Sequence, residues 1–147
     1  MKNKIEYSFF GSSHGEYIGM KLRGINKGEK IDSSALQELL NRRKPTYKGS
    51  TKRREIDEII FESGVENGCA TGEEIVAKIY NRDIEKGDYE RFKRYPRPSH
   101  ADYVAIKKYG DEYDLDGGGQ FSGRMTASMC IAGGIELKIL NRQGVQI

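Results

Sequence analysis

The amino-acid sequence predicts an α+β chain, and three observations carry that reading. Tyr17 to Ile25 and Ile75 to Tyr80 alternate apolar residues with polar or small ones, the period of a half-buried strand. Leu36, Leu39 and Leu40 fall on one face of a short helical segment between them. Ser122 to Leu140 is rich in Ala, Met, Ile and Leu and reads as a longer helix.

Composition bounds the class. With 147 residues the chain has the length of one domain, or part of one, spanning residues 1–147. Counting glycine and leaving out tyrosine, apolar residues make up roughly 42%, just under the usual range for folded chains. Charged residues reach 32%, so the core is lean. Twenty-five Lys and Arg against 22 Asp and Glu leave a net charge of +3, too small to mark a nucleic-acid binder. No run approaches the roughly 20 apolar residues of a membrane span. The N-terminus turns polar before a signal peptide's apolar region can form. Cys69 and Cys130 have no metal-ligand spacing, so the expectation is a reduced, cytoplasmic chain with no metal site.

In order along the chain, Ile5 to Phe10 reads as extended and enters a turn at Gly11-Ser-Ser-His-Gly15. Tyr17 to Ile25 follows as the first strand with a clear inner face: Ile18, Met20 and Leu22. Ser34-Ala-Leu-Gln37 fits a capping box, and Arg42-Arg-Lys44 close that helix before Pro45. Thr46 to Arg54 is polar and basic, a loop. Asp57 to Val65 is expected as a strand with Ile59 and Phe61 on one side and Ile60 on the other. Arg82 to Arg94 reads as a solvated loop or short helix, and Ala101 to Tyr109 as a short helix ended by Gly110. In the last helix, Gly133-Gly134 cost roughly 1 kcal/mol each relative to alanine, which predicts close packing or a bend. Asn141 to Ile147 reads as a turn entering another strand.

Three features can carry chemistry. His14 and His100, the two histidines, both lie in turns rich in Gly, Ser or Pro. An isolated histidine is more often packed or solvated than catalytic, yet loops gather functional groups, and imidazole moves protons near pH 7. The basic run Arg42, Arg43, Lys44, Lys48, Lys52, Arg53 and Arg54 is either a solvated helix end or a clamp for a polyanionic small molecule. Gly117-Gly-Gly-Gln-Phe-Ser-Gly-Arg124 at a helix entry lets backbone N–H groups approach a phosphate, or is a flexible turn. Together they point to an enzyme of a phosphorylated, carboxylated metabolite.

At these residues the chain resembles the chorismate synthase family. The matching elements keep the family's order: Phe10-Gly-Ser-Ser-His-Gly15, Asn41-Arg-Arg-Lys-Pro45, Arg53-Arg-Glu55, Ser63-Gly-Val65, Thr71-Gly72, Arg97-Pro-Ser-His-Ala-Asp-Tyr103, Lys108-Tyr-Gly110 and Gly117 to Arg124. The resemblance implies a β-α-β sandwich, incomplete at the C-terminus. It implies anti-1,4-elimination of phosphate and a ring hydrogen from 5-enolpyruvylshikimate 3-phosphate, the shikimate-pathway step to chorismate, with reduced FMN and no net redox change. NADPH enters only where a flavin reductase activity is built in. By resemblance His14 and His100 are catalytic, His14 protonating the departing phosphate and His100 sitting by the flavin. Arg42, Arg43, Lys48 and Arg124 belong to the substrate clamp, and Gly119, Gln120, Phe121 and Ser122 to the flavin-contacting segment. The family's tetramer is implied as well.

Departures from the family pattern are Ser12 in place of a glutamate, Gln120 in place of arginine or histidine, and Lys44 in place of a third arginine. Family members are more than twice as long, and the further half carries other flavin contacts and an Arg-x-Asp signature with a candidate base. The expectation is therefore an N-terminal portion: an enzyme, or alternatively an inactive anion-binding or assembly module that needs the other half.

Overall fold

The computed structural model describes residues 4–44, 56–82, 90–110 and 112–147. Four strands form an antiparallel sheet: β1 (Glu6–Gly11), β2 (Tyr17–Arg23), β3 (Ile60–Ser63) and β6 (Ile75–Tyr80), in the order β1-β2-β6-β3. Two short strands, β4 (Val65–Glu66) and β5 (Cys69–Ala70), pair separately. The helices are α1 (Ser33–Arg42), α2 (Glu90–Arg94), α3 (Asp102–Tyr109) and α4 (Thr126–Arg142). The fold is α+β, with α1 and α4 lying against one face of the sheet.

That layering follows from the alternation. Ile18, Met20 and Leu22 of β2 oppose Ile79, Ala77 and Ile75 of β6, and all six are fully buried. Leu36 and Leu40 of α1 and Ala127, Ile131 and Ile135 of α4 complete the core. Successive strand side chains point to opposite faces, so Tyr17, Lys21, Lys78 and Tyr80 share the other side of the sheet. There Lys78 sits 4.1 Å from the Tyr17 ring centre and 2.7 Å from Glu62.

Several expectations shift. β2 stops at Arg23, because Gly24 turns away at φ +90 where a side chain would collide with the Lys4 carbonyl. The cap of α1 is Asp32, whose Oδ1 accepts from the Ala35 N–H at 3.0 Å, so Ser34 lies inside the helix. Gln37 does not reach back to a cap; its amide donates to the Asp57 carbonyl at 2.9 Å. Of the expected strand from Asp57 to Val65, β3 alone joins the sheet, with a slip in its pairing with β6 between Phe61 and Ser63, and Val65 opens β4. Ile59 and Phe61 do pack on the core while Ile60 is exposed. The last helix begins at Thr126, after a tight 3-10 turn over Gly123–Met125 capped by Ser122. α4 runs on to Arg142, and residues 145–147 are exposed and form no strand. Among the described residues no helix is long and apolar enough to cross a membrane.

The two glycines of α4 differ. A side chain at Gly134 would meet Leu36 and Leu39 of α1, whereas Gly133 faces open space. Gly133→Ala is therefore expected to stabilise this chain by about 0.5–1 kcal/mol, the helix-propensity gain. At Gly134 the same change must displace both leucines and will give less or reverse sign. Urea unfolding of the two variants measures the difference.

Candidate active site

The site is built on the turn between β1 and β2. Gly11 ends β1 at φ +85, where any side chain would strike the Tyr17 carbonyl. The Gly15 N–H then donates to both the Ser12 carbonyl (3.2 Å) and the Ser12 hydroxyl (3.0 Å), which closes the turn. Ser13, almost fully buried, donates from Oγ toward the carbonyls of Asp116 and Gly117 at 3.2 and 3.3 Å. His14 is half-buried on this turn, and its imidazole lies directly on Gly117. A methyl group at Gly117 would occupy the position of the ring's Cδ2 and Nε2.

The glycine turn is shaped for that contact. Gly117, Gly118 and Gly119 all take positive φ, a run that side chains other than glycine resist. Gly119 is buried against the Asp114 carbonyl, and the Gln120 N–H donates to the Tyr113 hydroxyl at 3.2 Å. Tyr109, Tyr113 and Phe121 form an aromatic cluster, with the two tyrosine rings stacked at 5.4 Å. Tyr109 and Tyr113, with Gly11, Ser12, Glu112, Asp114 and Gln120, line an open cleft of about 440 Å³. Burial pushes the Tyr113 phenol above its ordinary range, so it stays a neutral donor and acceptor at pH 7. Phe121 is half exposed.

The arginines meet a residue that the sequence did not single out. Asp57 is buried, and its two carboxylate oxygens face Arg43 (3.5 Å) and Arg124. Arg43, at the C-terminal end of α1, also donates to the Thr126 hydroxyl at 2.8 Å and the Gly123 carbonyl at 3.3 Å. Arg124 is itself buried, and its Nε donates to Oδ1 of Asn81 at 3.2 Å. Asn81, one residue past β6, turns its amide nitrogen to the carbonyls of Ser12 (3.0 Å) and Gly15 (2.7 Å). The structure thus brings together Arg43, Arg124, His14 and the glycine turn. Arg42 is exposed at the end of α1, and Lys48 lies outside the described residues, as do Lys52, Arg53 and Arg54.

His100 occupies a second, separately braced turn ahead of α3. Asp102 is buried and takes Arg97 in a fork, 2.7 Å from Nε and 2.8 Å from Nη2, and accepts the Arg97 N–H at 3.0 Å. The His100 N–H donates to the Arg97 carbonyl at 3.3 Å, and Ser99 takes φ +62. Hydrogen bonds from Arg97 hold the Asp102 carboxyl below its usual range. Tyr109, at the other end of the eight-residue α3, is about 12 Å along the helix axis and lines the cleft.

The Arg97–Asp102 fork gives a pH-dependent expectation. Since Asp102 titrates below the ordinary aspartate value of 3.8 in the fold, its contribution is complete above that value. It is lost as the pH falls through the lowered one. Asp102→Asn is expected to cost about 1.5–3 kcal/mol at pH 7. The gap to the parent chain should begin to narrow only as the pH falls below about 4, and should vanish once the pH passes below the lowered folded value. Urea unfolding at pH 7 and pH 3 reads both numbers.

Asp57, Asn81, Ser13 and Asp102 are the site residues that sequence reasoning missed. Asp57 had one signal, an acid opening an apolar segment just after a dense basic run. Asn81 had none, since its importance comes from register: Tyr80 pairs with Tyr17, which sets the next residue against the 12–16 turn.

Comparison with known proteins bears on the whole arrangement. Residues 5–147 match the family model described as chorismate synthase. A chorismate synthase of Lancefieldella parvula is 42% identical over 97% of this chain and 38% of its own length. One from Thermococcus gammatolerans is 40% identical over the full chain and 42% of its length. A crystal structure of chorismate synthase superposes with a TM-score of 0.71 at 25% identity, covering 98% of this chain and 36% of that one. The chain thus spans about two-fifths of the length of these relatives. With a family match running nearly end to end over the His14 turn, both arginines and the glycine turn, the chain belongs to the chorismate synthase family.

Proposed function

We infer that this chain carries the anion-binding and proton-donating part of a chorismate synthase site. Its reaction is the 1,4-elimination of phosphate and a ring hydrogen from 5-enolpyruvylshikimate 3-phosphate. The observation that supports this most directly is the contact of the His14 imidazole with the glycine turn, near Arg43 and Arg124 held on the buried Asp57 carboxylate. The substrate carries two carboxylates and a phosphate, so its site needs fixed cations that do not reorganise during reaction. Arg43 is anchored by Asp57 and Thr126, while Arg42 is exposed beside it on α1. Lys48, outside the described residues, is assigned to the same clamp by resemblance alone. Arg124 lies deeper and holds the cluster's shape.

As phosphate departs with the bonding electron pair of its carbon–oxygen bond, the leaving oxygen gains charge. His14 is the side chain of this turn that can hand it a proton. Gly117 lies against the Cδ2–Nε2 edge of the imidazole and seats the ring on the glycine turn. Reduced FMN, when bound, supplies electron density to that bond cleavage and recovers it, so no net oxidation results. The aromatic cluster of Tyr109, Tyr113 and Phe121 fits the flat ring of a flavin, and the cleft beside it falls within the size range of ligand pockets. Glu112 and Asp114 in the same lining disfavour a phosphate there, so this shelf suits the ring. Of the segment Gly119, Gln120, Phe121 and Ser122 assigned to the flavin, Gln120 lines the cleft and Phe121 belongs to the aromatic cluster. His100, exposed on its braced turn, is assigned to the flavin's protonation state.

A second reading rests on length. A chain with two-fifths of its relatives' residues can bind the anionic ligand and not turn it over. Anaerobic titration with reduced FMN and 5-enolpyruvylshikimate 3-phosphate, following flavin absorbance and phosphate release, separates the two. Phosphate release supports the lyase. Saturable binding with no release supports the binding module, and neither signal overturns both.

A further inference from the structure

We propose that Asp57 and Asn81 are positioning residues for His14: Asp57 fixes Arg124, and Arg124 orients Asn81, which holds the His14 turn. The inference rests on the proton-donor role given to His14 above, and the geometry leads there in three steps. Asp57, anchored through its backbone carbonyl by Gln37 and buried beneath α1, fixes one end of the Arg124 guanidinium. The planar fork of that group then directs Nε at the Asn81 side-chain oxygen. An amide whose oxygen is engaged must turn its nitrogen the other way, and there it donates to the carbonyls of Ser12 and Gly15. Those two carbonyls flank His14 on either side.

The consequence is a turn held from below by Asn81 and from above by Ser13 and Gly117. Loops position catalytic groups poorly unless a rigid support fixes them, and a misplacement of 1 Å can cost about 10²-fold in rate. A lone Asn81 could present either face of its amide to the turn. Arg124 removes that choice, since the oxygen accepts from a guanidinium and a guanidinium accepts nothing. Asp57 in turn keeps Arg124 from swinging out of its buried place.

Two variants test this against a merely structural ion pair. Arg124→Lys keeps a cation beside Asp57 but removes the Nε that orients Asn81. Asn81→Ala removes the donor to both carbonyls. Each is made in a His100→Gln background, where His14 is the one remaining imidazole. The carbon–proton NMR signals of its ring are then recorded alongside backbone amides of β2 and β6. The expected result is that both variants move the His14 ring signals to the positions and widths of an exposed histidine, with the β2 and β6 amides unchanged. Arg124→Lys leaving the ring signals as in the parent would overturn the proposal, whether or not Asn81→Ala folds. In phosphate-release assays with the native His100, both variants are expected to lower kcat by about 10²-fold with KM little changed. The NMR result does not depend on turnover. Ring signals that move in a chain with no phosphate release would keep the positioning inference and remove the lyase reading.

Discussion

Replacing Asp57 by alanine is expected to remove about 3–5 kcal/mol of stability, the largest loss of any single substitution outside the apolar core. The carboxylate is 6% exposed and serves two guanidiniums, one of them only 9% exposed. Its removal leaves Arg124 as a buried charge without its counter-ion, and desolvation is then uncompensated. A domain of this size has about 5–15 kcal/mol in total, so the variant will sit close to its unfolding threshold at room temperature. Asp57→Asn keeps the shape and one accepting oxygen and will lose less. Urea unfolding followed by circular dichroism measures both; a loss below about 1 kcal/mol for alanine would mean that solvent replaces the carboxylate at no cost.

Gly117→Ala is expected to produce a large loss of function at modest cost in stability. At φ +60 an alanine is strained by about 1–2 kcal/mol. The added methyl also takes the place of the His14 ring, which must leave its seat on the turn. Phosphate release should fall by about 10²-fold, as for other groups displaced from a reacting atom. Gly118→Ala provides the comparison, since Gly118 carries similar backbone strain but its added carbon would approach only Ser122, at 3.8 Å. Its loss should be the smaller by at least tenfold. Equal losses in the two variants would show that strain in the turn, and not the ring contact, sets the rate.

The contrast between Gly117 and Gly118 also shows what the sequence could reveal. Three adjacent glycines announce a turn that side chains cannot make, but not which of them faces a histidine 103 residues away in the chain. The core was legible because alternation is local: Ile18, Met20 and Leu22 face inward in β2 as their period requires, and so do Ile75, Ala77 and Ile79. Capping of α1 was misplaced by two residues because Asp32 and Ser34 are both competent, and the choice between them depends on where Gln37 finds a tertiary partner. Gly134 shows the same limit, since its contact with Leu36 and Leu39 lies between two helices far apart in sequence.

The site divides similarly. His14, Arg43 and Arg124 stood out by residue type and neighbourhood, and the structure places them in one connected region. Asp57 and Asn81 did not, because a buried carboxylate and a buried amide have no local pattern; what they do is decided by strand register and by the return of α1 and α4 onto the sheet. The Arg97–Asp102 fork is an intermediate case. Its two partners are five residues apart, yet only the burial of Asp102 shows that they brace the His100 turn.

The most direct test of the account compares single-turnover phosphate release from 5-enolpyruvylshikimate 3-phosphate, with reduced FMN under anaerobic conditions, between the parent chain and His14→Ala. The parent is expected to release phosphate, and the variant to do so about 10²–10⁴-fold more slowly, the usual contribution of a positioned general acid. Equal rates in the two chains would contradict the assignment of His14 as the proton donor and, with it, the reading of the turn on which the site is built.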